Sequence, residues 1–309
     1  MPDQVIDFST LDAVTFNGTD LTEVIFNGTT IWSKVLYVPN EFIPIGDAGN
    51  TADSTTGLGG VTYNYSIAKT AEPLVNLKAY NADPLNASDQ INAANYIYNI
   101  SDNLNNLRPI INISYNEACR YVNWLNIIEG EQPAYNLVNG EVTVWSNAQA
   151  WQAGSENLFR HKDAKYFLPN QNEWYKAAFS KGSTNPNEYF TYATASNTAP
   201  TPVASGTSAN TAVWDQPIGG INPGKPADVN NCGGLSRYGT IGQSGNVFEM
   251  LDWYNQTLVT RISIGGHWQT DISQPNRLSK NYTSVITDFN NKTSNNGFRV
   301  ATAPVGTGA

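Results

Sequence analysis

The side chains that could do chemistry are few, and most of them fall in the last third of the chain. Ser244 stands in Gly242-Gln-Ser-Gly-Asn246, which has the outline of a nucleophile elbow, a strained turn that presents a hydroxyl to a nearby base. The run before it does not read as a buried strand, and no histidine stands at a usual triad position, so a serine hydrolase is not supported. Glu249, Asp252 and Asp271 are carboxylates of the kind that glycoside hydrolysis uses in pairs. Loop carboxylates more commonly serve as cation ligands, caps or solvated groups. His161 and His267 lie far apart, and neither has a second His or a Cys at ligand spacing, which argues against zinc or iron. Cys119 and Cys232 form no Cys-x-x-Cys pattern; they read as two buried thiols, with one disulfide as the alternative.

The elements that must position these residues are scaffold-like. Gly245-Asn246 and Gly265-Gly266 permit positive φ and close backbone approach, and Phe248, Trp253 and Trp268 supply large apolar bodies to pin a loop-rich region. Upstream, Ser114-Tyr-Asn-Glu117 is a capping box that opens a helix. Ala118, Tyr121, Val122, Leu125 and Ile128 fall on one face of that helix, and Gly130 ends it. Asn170-Gln-Asn-Glu173 opens a second helix that Lys181-Gly182 closes. Trp124 and Trp174 read as core, Arg120 and Lys176 as solvated faces. Val35 to Pro39 and Val61 to Ile67 read as strands.

The N-terminal segment carries a repeat. Val14-Thr-Phe-Asn-Gly-Thr-Asp-Leu21 recurs as Val24-Ile-Phe-Asn-Gly-Thr-Thr-Ile31, and each copy centres on Asn-Gly, a hairpin signal. Residues 1–35 therefore read as two small hairpins that form an anchoring or oligomerisation module, since a unit of that size cannot bury a core of its own. Residues 36–309 make up the large domain.

Charged residues are only 14% of the 309, and the net charge is −9. No basic stripe is available to neutralise phosphates, which argues against nucleic acid as a partner. The N-terminus shows neither the basic nor the apolar region of a signal peptide, and no apolar run approaches a membrane span, so no membrane insertion is expected.

Gly245-Asn-Val-Phe-Glu-Met250, Gly265-Gly-His-Trp268 and Asn296-Gly-Phe-Arg-Val300 resemble the C-terminal blocks of the formylglycine-generating-enzyme (sulfatase-modifying-factor) family. The stretches Asn112 to Leu125 and Tyr166 to Ala178 resemble its upstream blocks, in the same order. The resemblance implies an α+β fold, a C-type-lectin-like domain of the formylglycine-generating-enzyme variant. The family's enzymatic members oxidise a substrate cysteine with a copper-binding cysteine pair that follows the Gly-Gly block. Here Gly266 to Tyr282 contains no cysteine, so a non-catalytic member is expected.

The resemblance also implies a calcium ion held by the carbonyls of Gly245 and Val247 and the carboxylate of Glu249. The family's further side-chain donor falls on Gly242, which has none to offer; the alternative for Glu249 is a buried carboxylate satisfied by backbone N–H groups. In binding proteins of this fold the loop after the Gly-Gly block contacts the target. Trp268, Gln269, Asp271, Asn276, Arg277, Lys280 and Tyr282 are the candidate ligand-binding residues, types that suit adaptable recognition.

The N-terminal segment, with Phe-Asn-Gly-Thr and Ile31-Trp-Ser33, resembles a module at the front of phage virion and tail proteins. Together these features lead to an expected virion structural protein (tail fibre, tail tip or surface decoration). It would be a homo-oligomer on the particle surface, bound to other virion proteins through residues 1–35 and recognising a host-surface glycan or protein. The alternatives are a formylglycine-generating-enzyme-like protein of cellular origin and a purely architectural virion protein.

Overall fold

The structure, a computed structural model, describes residues 37–93, 107–216, 224–252 and 260–309, together with the backbone of four short strands between Thr15 and Ser33. Strands β1 (Thr15–Phe16) and β2 (Thr19–Asp20) pair antiparallel, as do β3 (Glu23–Phe26) and β4 (Thr29–Ser33). The closing pairs are Phe16↔Thr19 and Phe26↔Thr29, the two-residue closure that Asn-Gly favours. The repeat thus pairs as two hairpins; the Asn-Gly residues, like Trp253, lie outside the described residues.

Among the described residues, the rest of the chain alternates short strands with three α-helices. In order these are β5 (Phe42–Ile45), β6 (Tyr65–Ala68), α1 (Leu74–Ala82), α2 (Tyr115–Ile128), β7 (Asn136–Val138), β8 (Glu141–Thr143), β9 (Ala150–Trp151) and β10 (Asn157–His161). Then come β11 (Tyr166–Phe167), α3 (Gln171–Phe179), β12 (Thr201–Pro202), β13 (Thr211–Ala212), β14 (Phe248–Leu251), β15 (Arg261–Ile264), β16 (Ser284–Ile286), β17 (Asn296–Gly297) and β18 (Ala301–Thr302). Two four-stranded sheets organise the core, one ordered β11-β18-β6-β5 and one β16-β15-β14-β17. The first is antiparallel throughout; in the second, β17 runs parallel to β14. Phe298, Arg299 and Val300 cross from β17 to β18, hence from one sheet to the other, and all three are fully buried.

Both helix starts follow from their capping boxes. Ser114 accepts from the Glu117 N–H at 3.2 Å while Glu117 accepts from the Ser114 N–H at 2.9 Å, and Asn170 and Glu173 repeat the arrangement on α3. At the end of α2, Gly130 takes φ +75°, and the N–H groups of Gly130 and Glu131 return to the carbonyls of Ile127 and Asn126, a Schellman closure. Ala118, Tyr121, Val122 and Leu125 are buried as the helical face requires, whereas Ile128, in the last turn, is 40% exposed. Trp124 and Trp174 are core residues.

Three local expectations are corrected. Of the strand expected over Val35 to Pro39, Val35 and Leu36 lie outside the described residues; residues 37–39 form no strand, and the next strand is β5. Val38 donates its N–H to Asn76 Oδ1 at 2.9 Å, and its carbonyl accepts from Asn76 Nδ2 at 3.0 Å, so a side chain of α1 occupies the groups a strand partner would need. The strand expected over Val61 to Ile67 narrows to β6. Lys176 is buried rather than solvated. Its Nζ donates to the Asp47 carbonyl at 2.9 Å, and burial pulls its pKa down to about 8.

Candidate functional site

Glu249 sits on β14, paired with Ile264 of β15, and is fully buried. Arg299 meets it with two donors, Nε to Oε2 at 2.5 Å and Nη2 to Oε1 at 2.6 Å, and the Trp174 indole donates to Oε2 at 2.5 Å. The same guanidinium donates to the carbonyls of Ala68, Lys69 and Ile241, and so ties the end of β6 to β14. Both carboxylate oxygens are therefore engaged, by a guanidinium and an indole. The expected site of Gly245, Val247 and Glu249 does not fit the ion in this arrangement: Arg299 supplies the countercharge, and a second cation beside it would be repelled. The alternative of backbone N–H partners is also replaced, by an ion pair and an indole. Gly242, where the further donor was missing, takes φ +82°, and a Cβ there would lie 2.8 Å from Cys232 Sγ. No group of three or more His, Cys, Asp or Glu able to hold a metal is present among the described residues.

The other chemical candidates are structural. Ser244 Oγ donates to the Leu278 carbonyl and accepts from the Ala193 N–H, both at 2.9 Å, so it holds loops together. Asp252 accepts from Arg160 Nε at 3.0 Å and from Asn157 at 2.9 Å, while the other guanidinium nitrogens of Arg160 reach Glu173 at 2.9 and 3.0 Å. The Arg160 guanidinium also lies 3.9 Å from the centre of the Phe167 ring. This second buried charge node had no local signal in the sequence, because its partners lie 13 and 92 residues away. Cys119 and Cys232 are free and buried, and burial pushes both thiols up, Cys232 to about 12.

The seven residues expected to bind a target divide into two groups. Trp268 is fully buried and belongs to the core, since its step from Gly265-Gly266 turns the ring inward. Lys280 places Nζ 2.5 Å from Asp53 Oδ2, with side chains only 13% and 5% exposed, so it fastens the loop rather than offering a free cation. Burial alone would raise the Asp53 pKa, but hydrogen bonds from Lys280, Thr55 and Tyr175 outweigh it and hold it down at about 2. Asp271 is exposed and accepts from the Ser273 N–H and hydroxyl at 2.8 and 2.5 Å, which lowers its pKa. Gln269 is half-buried and Asn276 exposed. Tyr282 stacks on Phe248 (centroids 6.1 Å apart, 18° between planes), and the Arg277 guanidinium lies 5.4 Å from the Tyr282 ring centre.

Arg277 and Phe248 belong to a cleft of about 340 Å³ between the start of β14, strand β16 and the segment that leads into β17, lined also by His267, Asp288, Asn291 and Asn295. The Asn295 Oδ1 is buried without a hydrogen-bond partner among the described residues. His267 packs on Phe248 at 4.8 Å, and its Nδ1 accepts from the Gln269 N–H at 3.2 Å, which places the proton of the neutral ring on Nε2. Burial, aided by the Arg277 charge, lowers its pKa to about 4. The sequence pointed to the segment between Trp268 and Asn296 but not to this wall. In the sequence His267 is only a histidine without ligand spacing, and Asn291 and Asn295 look like any polar loop residues until β16 and β17 bring them round.

Fold and site define a class, an α+β C-type-lectin-like domain with small N-terminal β-hairpins and a polar cleft beside its C-terminal sheet. Residues 65–304 match the model of the sulfatase-modifying factor enzyme 1-like domain, and the chain belongs to this formylglycine-generating-enzyme-like family. Among solved structures it is similar to CarF at 20% identity, with TM-score 0.59 over 86% of this chain and 99% of that one. It is also similar to Treponema denticola variable protein 1 at 17% identity, with TM-score 0.52 over 88% and 98% of the two chains. These likenesses concern the fold. A search of curated proteins finds no match.

Proposed function

We propose that this chain is a non-catalytic member of its family, which uses the surface between His267 and Asn296 to bind a target. The observation that carries this reading is the cleft of about 340 Å³, which offers a half-buried cation, Arg277, with the Tyr282 ring as its neighbour and no thiol in its lining. A cysteine-oxidising site needs accessible thiolates, and both thiols of this chain are buried elsewhere. Residues 1–35 then attach the chain to a virion or to copies of itself, and the cleft faces a host-surface glycan or protein. A second reading, an enzyme-like protein of cellular origin, is favoured by the family match over residues 65–304, which supports it more directly than the virion setting.

The test applies the full chain to a panel of immobilised bacterial surface polysaccharides and surface proteins. In parallel it is incubated with copper, oxygen and a cysteine-containing sulfatase peptide and read by mass spectrometry. Binding that Arg277→Ala weakens, with the peptide unmodified, is the expected result. Conversion of the peptide cysteine to formylglycine would establish the second reading instead.

A further inference from the structure

The cleft is specific enough in its chemistry to name the class of ligand, on the footing of the recognition reading above. We propose that it takes a sugar ring that carries a single carboxylate, with the carboxylate on Arg277 and the ring against the Phe248 side of the cleft.

Size comes first. At about 340 Å³ the cleft lies at the lower end of the ~300–1,000 Å³ usual for small-molecule sites, room for one or two rings rather than a folded epitope. Its lining is largely amide, hydroxyl and charged groups rather than the apolar wall of a typical drug-sized pocket, a balance that suits a polyhydroxylated ligand. Phe248 is itself buried, covered by its stack with Tyr282 and its contact with His267, and adds to the wall only a small apolar patch against which a C–H group of a sugar can rest.

The polar groups then select charge. Arg277 presents a planar fork of donors that matches a carboxylate; among the described residues no carboxylate pairs with it, and its guanidinium lies 5.4 Å from the centre of the Tyr282 ring. Asn295 also lines the cleft and brings a side-chain amide to its wall, a group that can pair with a hydroxyl. The His267 ring, with Nδ1 occupied, has an Nε2–H to donate, and because its pKa is low the donor is uncharged at neutral pH. Asp288 also lines the cleft, and one of its oxygens accepts from the Asn290 N–H at 2.9 Å. One cation and one anion in the wall, on a chain of net charge −9, disfavour sulfated polymers and nucleic acid but leave Arg277 able to hold one negative group.

Saturation-transfer NMR on the full chain tests this with glucuronate, galacturonate and N-acetylneuraminate against glucose, galactose and N-acetylglucosamine. At least one acidic sugar should bind, and reduction of its carboxylate to the alcohol should weaken it about tenfold or more. Arg277→Ala should remove the difference between acidic and neutral sugars, and Asn295→Leu should weaken both, each without a change in melting temperature. Neutral sugars that bind as well as acidic ones, or discrimination that survives Arg277→Ala, would overturn the proposal. If no sugar binds but a surface protein from the panel does, in a manner sensitive to Arg277→Ala, the ligand class is wrong and the recognition reading stands. If nothing binds, both fall.

Discussion

Arg299 and Glu249 form a fully buried bidentate pair at 2.5 and 2.6 Å, and that pair joins the segment crossing between the two sheets to the strand from which the candidate cleft begins. Removing one partner leaves the other charge fully buried and uncompensated. Arg299→Met or Glu249→Leu alone should each cost about 3–5 kcal/mol in urea unfolding, and the double variant less than the sum of the two. Additive losses would mean that the two side chains do not act as a pair.

The same geometry predicts the response to calcium. With both Glu249 oxygens engaged by Arg299 and Trp174, the melting temperature should be the same in millimolar calcium and in excess chelator. A rise with calcium concentration that Glu249→Gln abolishes would restore the cation site.

Lys280 and Asp53 connect the candidate loop to a loop 227 residues away. Lys280→Met should cost about 1–3 kcal/mol and raise hydrogen exchange around residues 50–60. The Asp53 pKa is about 2 when folded and 3.8 otherwise, so its contribution is present above pH 3.8 and lost as the pH falls towards 2. Wild-type exchange in residues 50–60 of the variant would remove the fastening role.

How much of this could be read in advance depended on distance along the chain. The capping boxes, the Gly130 helix end and the paired Asn-Gly hairpins lie within a few residues of their cause, and the sequence displays them. The family blocks pointed to the region of the cleft. Partnerships such as Arg160 with Asp252, or Lys280 with Asp53, depend on which loops the fold brings together, and residue type alone cannot assign them. Trp268 departs from the sequence expectation for a related reason. An aromatic at the root of a polar loop can face either way, and Gly265-Gly266, at φ +103° and +74°, turns this one inward.

His267 should make stability depend on pH. Its folded pKa of about 4 lies below the ordinary 6.5, so between these values the unfolded chain binds more protons and stability falls as the pH drops. About 3 kcal/mol of stability, fully present above pH 6.5, is lost as the pH falls from 6.5 to 4. Glu72, whose pKa burial raises, works in the opposite sense, so the comparison must be with His267→Gln. The stability gap between wild type and variant should move in the variant's favour as the pH falls from 7 to 5; a constant gap would place the imidazole in contact with water.

The two thiols should be inert in the native state. Cys119 and Cys232 are buried with raised pKa values, so a thiol-exchange reagent at pH 8 should label neither until urea unfolds the chain, and then both. Rapid labelling of the native protein would reopen the oxidase reading.

The central claim is that the surface between His267 and Asn296 recognises a target. Its most direct test is the binding of the full chain to the surface panel, compared between wild type and the double variant Arg277→Ala/Tyr282→Ala. Tyr282 is half-buried, and its loss removes one aromatic stack, about 0.5–1.5 kcal/mol, so the variant should stay folded. The account predicts a folded variant whose affinity has dropped at least about tenfold. Undiminished binding by that folded variant would contradict it.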